Sequence, residues 1–143
     1  MNIKKLTSAL AAFVLMVFAY AGSGSAQSVK ETTVVKNGGN VILVRTLAPA
    51  EVVSVEPYID AKKGKKSGRL KMDVVLKNTA NKPQSYAVFA QGKTDTGGWL
   101  GGMSKAPSKG KLEPGKEVTA KVTTRYEGES LPDEMKLEVF PPQ

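Results

Sequence analysis

Lys62, Lys63, Lys65, Lys66, Arg69 and Lys71 crowd into ten residues around Gly64 and Gly68. At a hairpin tip these side chains would project a concentrated positive patch, suited to meeting phosphate or carboxylate groups. The plainer alternative is a solvated loop whose lysines discourage edge-to-edge aggregation. Lys105, Lys109, Lys111 and Lys116 form a second, looser cluster. It would reinforce binding only if both clusters lay on one side of the molecule.

The only tryptophan lies within Gly97-Gly98-Trp99-Leu100-Gly101-Gly102. Flanking glycines permit close backbone approach, and tryptophan is a frequent anchor at interfaces. An exposed Trp99 could insert into a partner or stack on a sugar; the favoured expectation is that it fills a core. Just upstream, Asp95-Thr96-Gly97 spells the D-T-G of aspartic proteases, whose chemistry needs two carboxylates sharing a proton. One copy is present, preceded by polar Lys93-Thr94, so an Asp/Gly hairpin turn is the expectation. Met72, Met103 and Met135 are scattered, and core packing outweighs thioether metal binding. Asp133 and Glu134 adjoin a turn and lack calcium-loop spacing.

The chain contains neither cysteine nor histidine. Ser-His-Asp and Cys-His nucleophiles are thereby excluded, as are thiolate and imidazole zinc sites. Neither a catalytic site nor a cofactor or metal is expected. Any fold must hold by packing and hydrogen bonds rather than disulfides. The formal charge is +8, an excess that favours anionic surfaces through long-range fields.

The elements that would position these residues read as strands. Thr32 to Lys36 and Val41 to Thr46 are β-branched runs around Asn37-Gly38-Gly39-Asn40, a hairpin signal. Glu51 to Ile59 is a further run in which Pro57 suggests an edge or a bulge. Along Arg69 to Lys77, Leu70, Met72, Val74 and Leu76 alternate with polar residues, broken only by Val75, the pattern of a sheet with one wet face. Ser85 to Ala90 is apolar on both sides and reads as central. Trp99 to Met103, Glu117 to Tyr126 and Met135 to Phe140 complete the set, before Pro141-Pro142 ends it. Seven to eight short strands at this spacing predict an all-β antiparallel sandwich.

Residues 1–26 read as a secretory leader. Lys4 and Lys5 precede the apolar run Leu10 to Ala21, and small residues Gly24-Ser25-Ala26 follow. The run is shorter than the ~20 residues of a spanning helix. Cleavage after Ala26, with Ala21 as an alternative, would leave residues 27–143 as one domain with no transmembrane anchor, periplasmic or extracellular. Loss of Lys4 and Lys5 lowers the charge to +6. Outside the cytoplasm its anionic partners would be lipid headgroups, acidic polysaccharide or an acidic protein rather than nucleic acid.

From about Leu70 to Phe140 the order of parts resembles small bacterial immunoglobulin-like domains, including the FxLYD type. The alternating strand Met72-Asp73-Val74-Val75-Leu76 ends in Lys77-Asn78-Thr79, and a turn leads to a hydrophobic strand. A Gly-containing hairpin follows, then Leu112-Glu113-Pro114-Gly115 before the next alternating strand. Tyr86-Ala87-Val88-Phe89-Ala90-Gln91-Gly92 takes the place of the F-x-L-Y-D signature itself. The resemblance implies a binding or structural module. The expected role is protein–protein interaction in the cell envelope, with binding of an anionic polymer or lipid headgroup through the lysine loop as the alternative.

Overall fold

The computed structural model describes residues 31–142, so the leader expected over residues 1–26 lies outside the described residues. Among the described residues eight strands follow one another with no helix between them. They are β1 (Glu31–Asn37), β2 (Asn40–Thr46), β3 (Ala50–Ala61), β4 (Gly68–Asn78), β5 (Tyr86–Lys93), β6 (Trp99–Ala106), β7 (Glu117–Gly128) and β8 (Glu134–Phe140). They form two sheets, ordered β1-β2-β8-β5-β6 and β3-β4-β7.

The alternation along β4 places Leu70, Met72, Val74 and Leu76 wholly inside. Met135, Leu137 and Val139 of β8 and Tyr86, Val88 and Ala90 of β5 meet them in the same core. Each buried valine, leucine or methionine among them contributes about 1.5–3 kcal/mol through burial, and no covalent staple joins the two inner faces. Val75 sits half-buried on the outer side, where a β-branched residue suits a strand. β3 is an edge strand, as Pro57 suggests, but its irregularity falls between Val52 and Ser54.

One pairing departs from the expected antiparallel sandwich. β2 runs parallel to β8, with Val41 opposite Glu134 and Thr46 opposite Val139. The two strands are far apart in sequence, so no tight turn dictates their relative direction. The β1–β2 hairpin instead places Ile42 and Val44 in the core.

The sheets approach most closely where β6 passes β7. A Cβ on Gly102 would lie 1.8 Å from the Thr123 carbonyl oxygen, so glycine is required at this seam.

Asn78 knots the end of the sandwich formed by Pro49, Leu112 and the start of β7. Its Nδ2 donates to the carbonyls of Lys82 (2.9 Å) and Leu112 (2.8 Å), while Oδ1 accepts from Ala80 N–H at 2.8 Å. The buried Tyr86 hydroxyl donates toward Pro49 O at 2.8 Å and Asn78 Oδ1 at 3.1 Å. Burial pushes this hydroxyl up to about 12 from the ordinary 10.0. The fold therefore favours the neutral phenol. Its contribution is complete below pH ~10 and is lost as pH climbs through the raised value, a change of about 3 kcal/mol. In urea melts, Tyr86→Phe should begin lower by about 1–3 kcal/mol and decline less steeply than wild type above pH ~10. Equal slopes would assign the alkaline loss to other groups.

Candidate functional site

The lysine-rich segment is the β3–β4 hairpin tip, where Lys65 N–H donates to Lys62 O at 2.9 Å. At its neck Ala61 pairs with Gly68, and Asp60 with Arg69. The strands come so close there that a Cβ on Gly68 would sit 2.3 Å from Asp60 O. One strand further, the pairing jumps from Arg69–Glu127 to Lys71–Thr123, leaving three β7 residues opposite Leu70. Thr124 pins this bulge: its Oγ1 donates to Leu70 O and accepts from Tyr126 N–H, both at 3.1 Å. Bulges bend a strand and re-aim its side chains.

The result is an open cleft of about 430 Å³ lined by Asp60, Lys62, Lys65, Ser67, Gly68, Arg69, Lys71, Thr123 and Glu127. Four of the six sequence-selected cations line it. Lys63 and Lys66 are exposed on the same hairpin but do not. Lys71 Nζ lies 2.6 Å from Asp60 Oδ2, and Arg69 Nε lies 3.7 Å from Glu127 Oε2. The hydrogen bond to Asp60 raises the Lys71 ammonium above its ordinary value despite some desolvation, so this cation stays charged. Lys62 and Lys65 form no ion pair with any described carboxylate. Asp60, Ser67, Thr123 and Glu127 were not foreseen from sequence. Thr123 and Glu127 lie some fifty positions downstream, and only sheet pairing brings them here.

The second lysine cluster does not join the first. Lys77 pairs with Glu117 at one end of β4, and Gly68 with Gly128 at the other. Lys116 bonds to Asn78 at the former end, and Lys105 precedes Ala106, the partner of Tyr86. The length of β4, roughly 30 Å, separates the two clusters.

Trp99 corrects the expectation of a core residue. It pairs with Lys93 and lies on the outer side of the five-stranded sheet. Lys136 Nζ stands 4.1 Å from the centre of its ring and Lys93 Nζ 6.0 Å. The indole is half-buried beneath cations, an arrangement in which the ring face attracts positive charge. Its place outside the core follows from the β5–β6 register, which sets Trp99 opposite Lys93 on the outward side, in line with Phe89 and Met103.

Trp99 is part of a wider apolar surface. Leu43, Phe89 and Phe140 are half-buried on the same face, while Val34 is 45% and Met103 61% exposed. Phe89 is paired with Met103, and its ring fills the space over Gly101. A shallow hollow bounded by Tyr86, Ala87, Met103, Ser104, Lys105 and Pro142 adjoins them. Arg45–Glu138 and Lys93–Glu134, each at 2.9 Å, set ion pairs between the apolar groups. Met72 and Met135 lie in the core as expected.

Asp95-Thr96-Gly97 forms the β5–β6 turn. Thr94 N–H donates to Gly98 O at 2.8 Å, Gly97 N–H to Thr94 O at 3.0 Å and Gly98 N–H to Thr94 Oγ1 at 3.0 Å. Among the described residues, no three carboxylates gather as metal ligands. No protein-family model, no curated protein and no solved structure matches the chain. The molecule offers two distinct surfaces for binding, the cationic cleft and the apolar groups of the five-stranded sheet.

Proposed function

We propose that this protein is an exported, non-catalytic binding module that acts through protein–protein contact, as an accessory or assembly factor of the periplasm or cell envelope. The observation that carries this reading is the difference between the two outer faces. The three-stranded sheet presents charges along every strand: Glu51 and Glu56 on β3, Asp73 and Lys77 on β4, Lys121 and Arg125 on β7. The five-stranded sheet also bears charges, among them Arg45, Lys93, Lys136 and Glu138, but sets Leu43, Phe89, Trp99, Met103 and Phe140 between them. A solvent face does not need such a set, and aromatic and methionine side chains on an outer face are enriched at interfaces.

An immunoglobulin-like topology is part of the proposal. β3, β4 and β7 correspond in order to the first, second and fifth strands of that fold, and β5 and β8 to its third and sixth. The parallel β2 then occupies the position beside β8 that a seventh strand would take. Fold alone does not assign a role; the composition of the sheet face is what supports this one.

The test is photo-crosslinking in intact cells from position 103, with position 119 on the opposite face as reference. A discrete adduct from 103 alone is expected, and Met103→Glu should lower recovery of that partner at least ten-fold. As an exposed substitution it should change stability by about 0.5 kcal/mol or less. The same adducts from both positions would remove the sheet-face reading.

A further inference from the structure

We infer that the cleft beneath the β3–β4 hairpin is a binding site for an anionic glycan, engaging a sugar unit that carries a carboxylate, phosphate or sulfate group. The cleft is independent of the apolar sheet face, since it opens on the outer side of the other sheet.

Its lining specifies the ligand class. Lys62 and Lys65 supply ammonium groups that no described carboxylate neutralises, and Arg69 and Lys71 add two more cations. These suit an oxyanion, which arginine and lysine recognise by charge-assisted hydrogen bonds. Ser67 and Thr123 add hydroxyls, and Glu127, with its side chain 62% exposed and only 3.7 Å from Arg69, can accept from a sugar hydroxyl. A bare phosphate would gain nothing from the Glu127 carboxylate and would be repelled by it. A polyhydroxylated ring bearing one negative group uses both kinds of lining.

Shape argues the same way. A volume of about 430 Å³ falls within the few-hundred-Å³ range of small-molecule sites, whereas a membrane surface is met by a flat or inserting patch. The tip from Lys62 to Gly68 contains only lysine, serine and glycine, so it has no apolar side chain to enter a bilayer. The concavity is built into the backbone, through the narrow Gly68 neck and the β7 bulge held by Thr124.

The experiment titrates the protein comprising residues 27–143 with a heparin hexasaccharide, by calorimetry and by amide chemical shifts, at low and moderate salt. Amides from Lys62 to Lys71 and around Thr123 should shift. Lys62→Ala with Lys65→Ala should weaken binding at least ten-fold. Lys105→Ala with Lys109→Ala removes the same charge from the far end and should change it less than two-fold. Thr123→Tyr keeps every cation but fills the cleft, and should also weaken binding at least ten-fold. Equal losses from both lysine pairs, or undiminished binding by Thr123→Tyr, would show a diffuse positive field and overturn the site. So would binding to phosphatidylglycerol vesicles without binding to the hexasaccharide. Loss of the Met103 adduct would leave this result untouched, because the two surfaces are tested separately.

Discussion

Gly102→Ala is expected to destabilise the protein by about 3 kcal/mol or more, although it adds a single methyl group. The new carbon would lie 1.8 Å from the Thr123 carbonyl oxygen, 2.8 Å from the attached carbon and 3.0 Å from Thr124 Cα. All three are backbone atoms, so no rotamer change relieves the overlap. Relief requires moving β6 away from β7, which opens the seam between the two sheets. Close packing makes even one methylene costly where neighbours cannot shift. Gly39→Ala is the reference, because a Cβ there meets nothing within 4 Å, and its effect should stay within about 0.5 kcal/mol. Urea unfolding of the two variants separates them. Equal midpoints would mean that β6 and β7 are not held in contact in solution.

Asn78→Ala should cost a further distinct amount, about 3–5 kcal/mol. The carbonyls of Lys82 and Leu112 and the Ala80 N–H would each lose their side-chain partner. A buried polar group left unpaired costs about 1–3 kcal/mol. The Asn78 site also faces the Tyr86 hydroxyl, so the two residues should be coupled, and the double variant with Tyr86→Phe should lose less than the two single losses combined. Asn78→Asp tests the donor separately. Its carboxylate would face two carbonyl oxygens, so its pKa would be raised in the folded state. Its deficit relative to wild type should therefore shrink as pH falls toward about 4. A pH-independent deficit would show that Nδ2 is not the critical donor.

Much of the strand pattern was legible because side-chain alternation is local. Leu70, Met72, Val74 and Leu76 are buried in turn, as are Met135, Leu137 and Val139. The same locality made the Asn37–Asn40 hairpin and the Asp95–Gly97 turn readable. Trp99 was not readable in this way. Its glycine neighbours were visible, but which side of β6 faced the core depended on the register with β5 and on the approach of β7. Tyr86 was recognisable as a sandwich residue with a polar tip, whereas its bond to Pro49 spans a gap in sequence that no spacing rule predicts.

The lysine segment between Ala61 and Lys71 shows where the division falls. By itself the sequence determined an all-β chain, a cationic hairpin and the absence of cysteine and histidine chemistry, because these follow from composition and from a two-residue period. Only the tertiary structure decided that β2 would lie parallel to β8, that Trp99 would lie outside beneath Lys136, and that Thr123 and Glu127 would complete a cleft with Lys62 and Lys65. Those outcomes depend on which distant strands pair and in what register. Packing of two complete inner faces selects that arrangement, and no local stretch of the chain contains it.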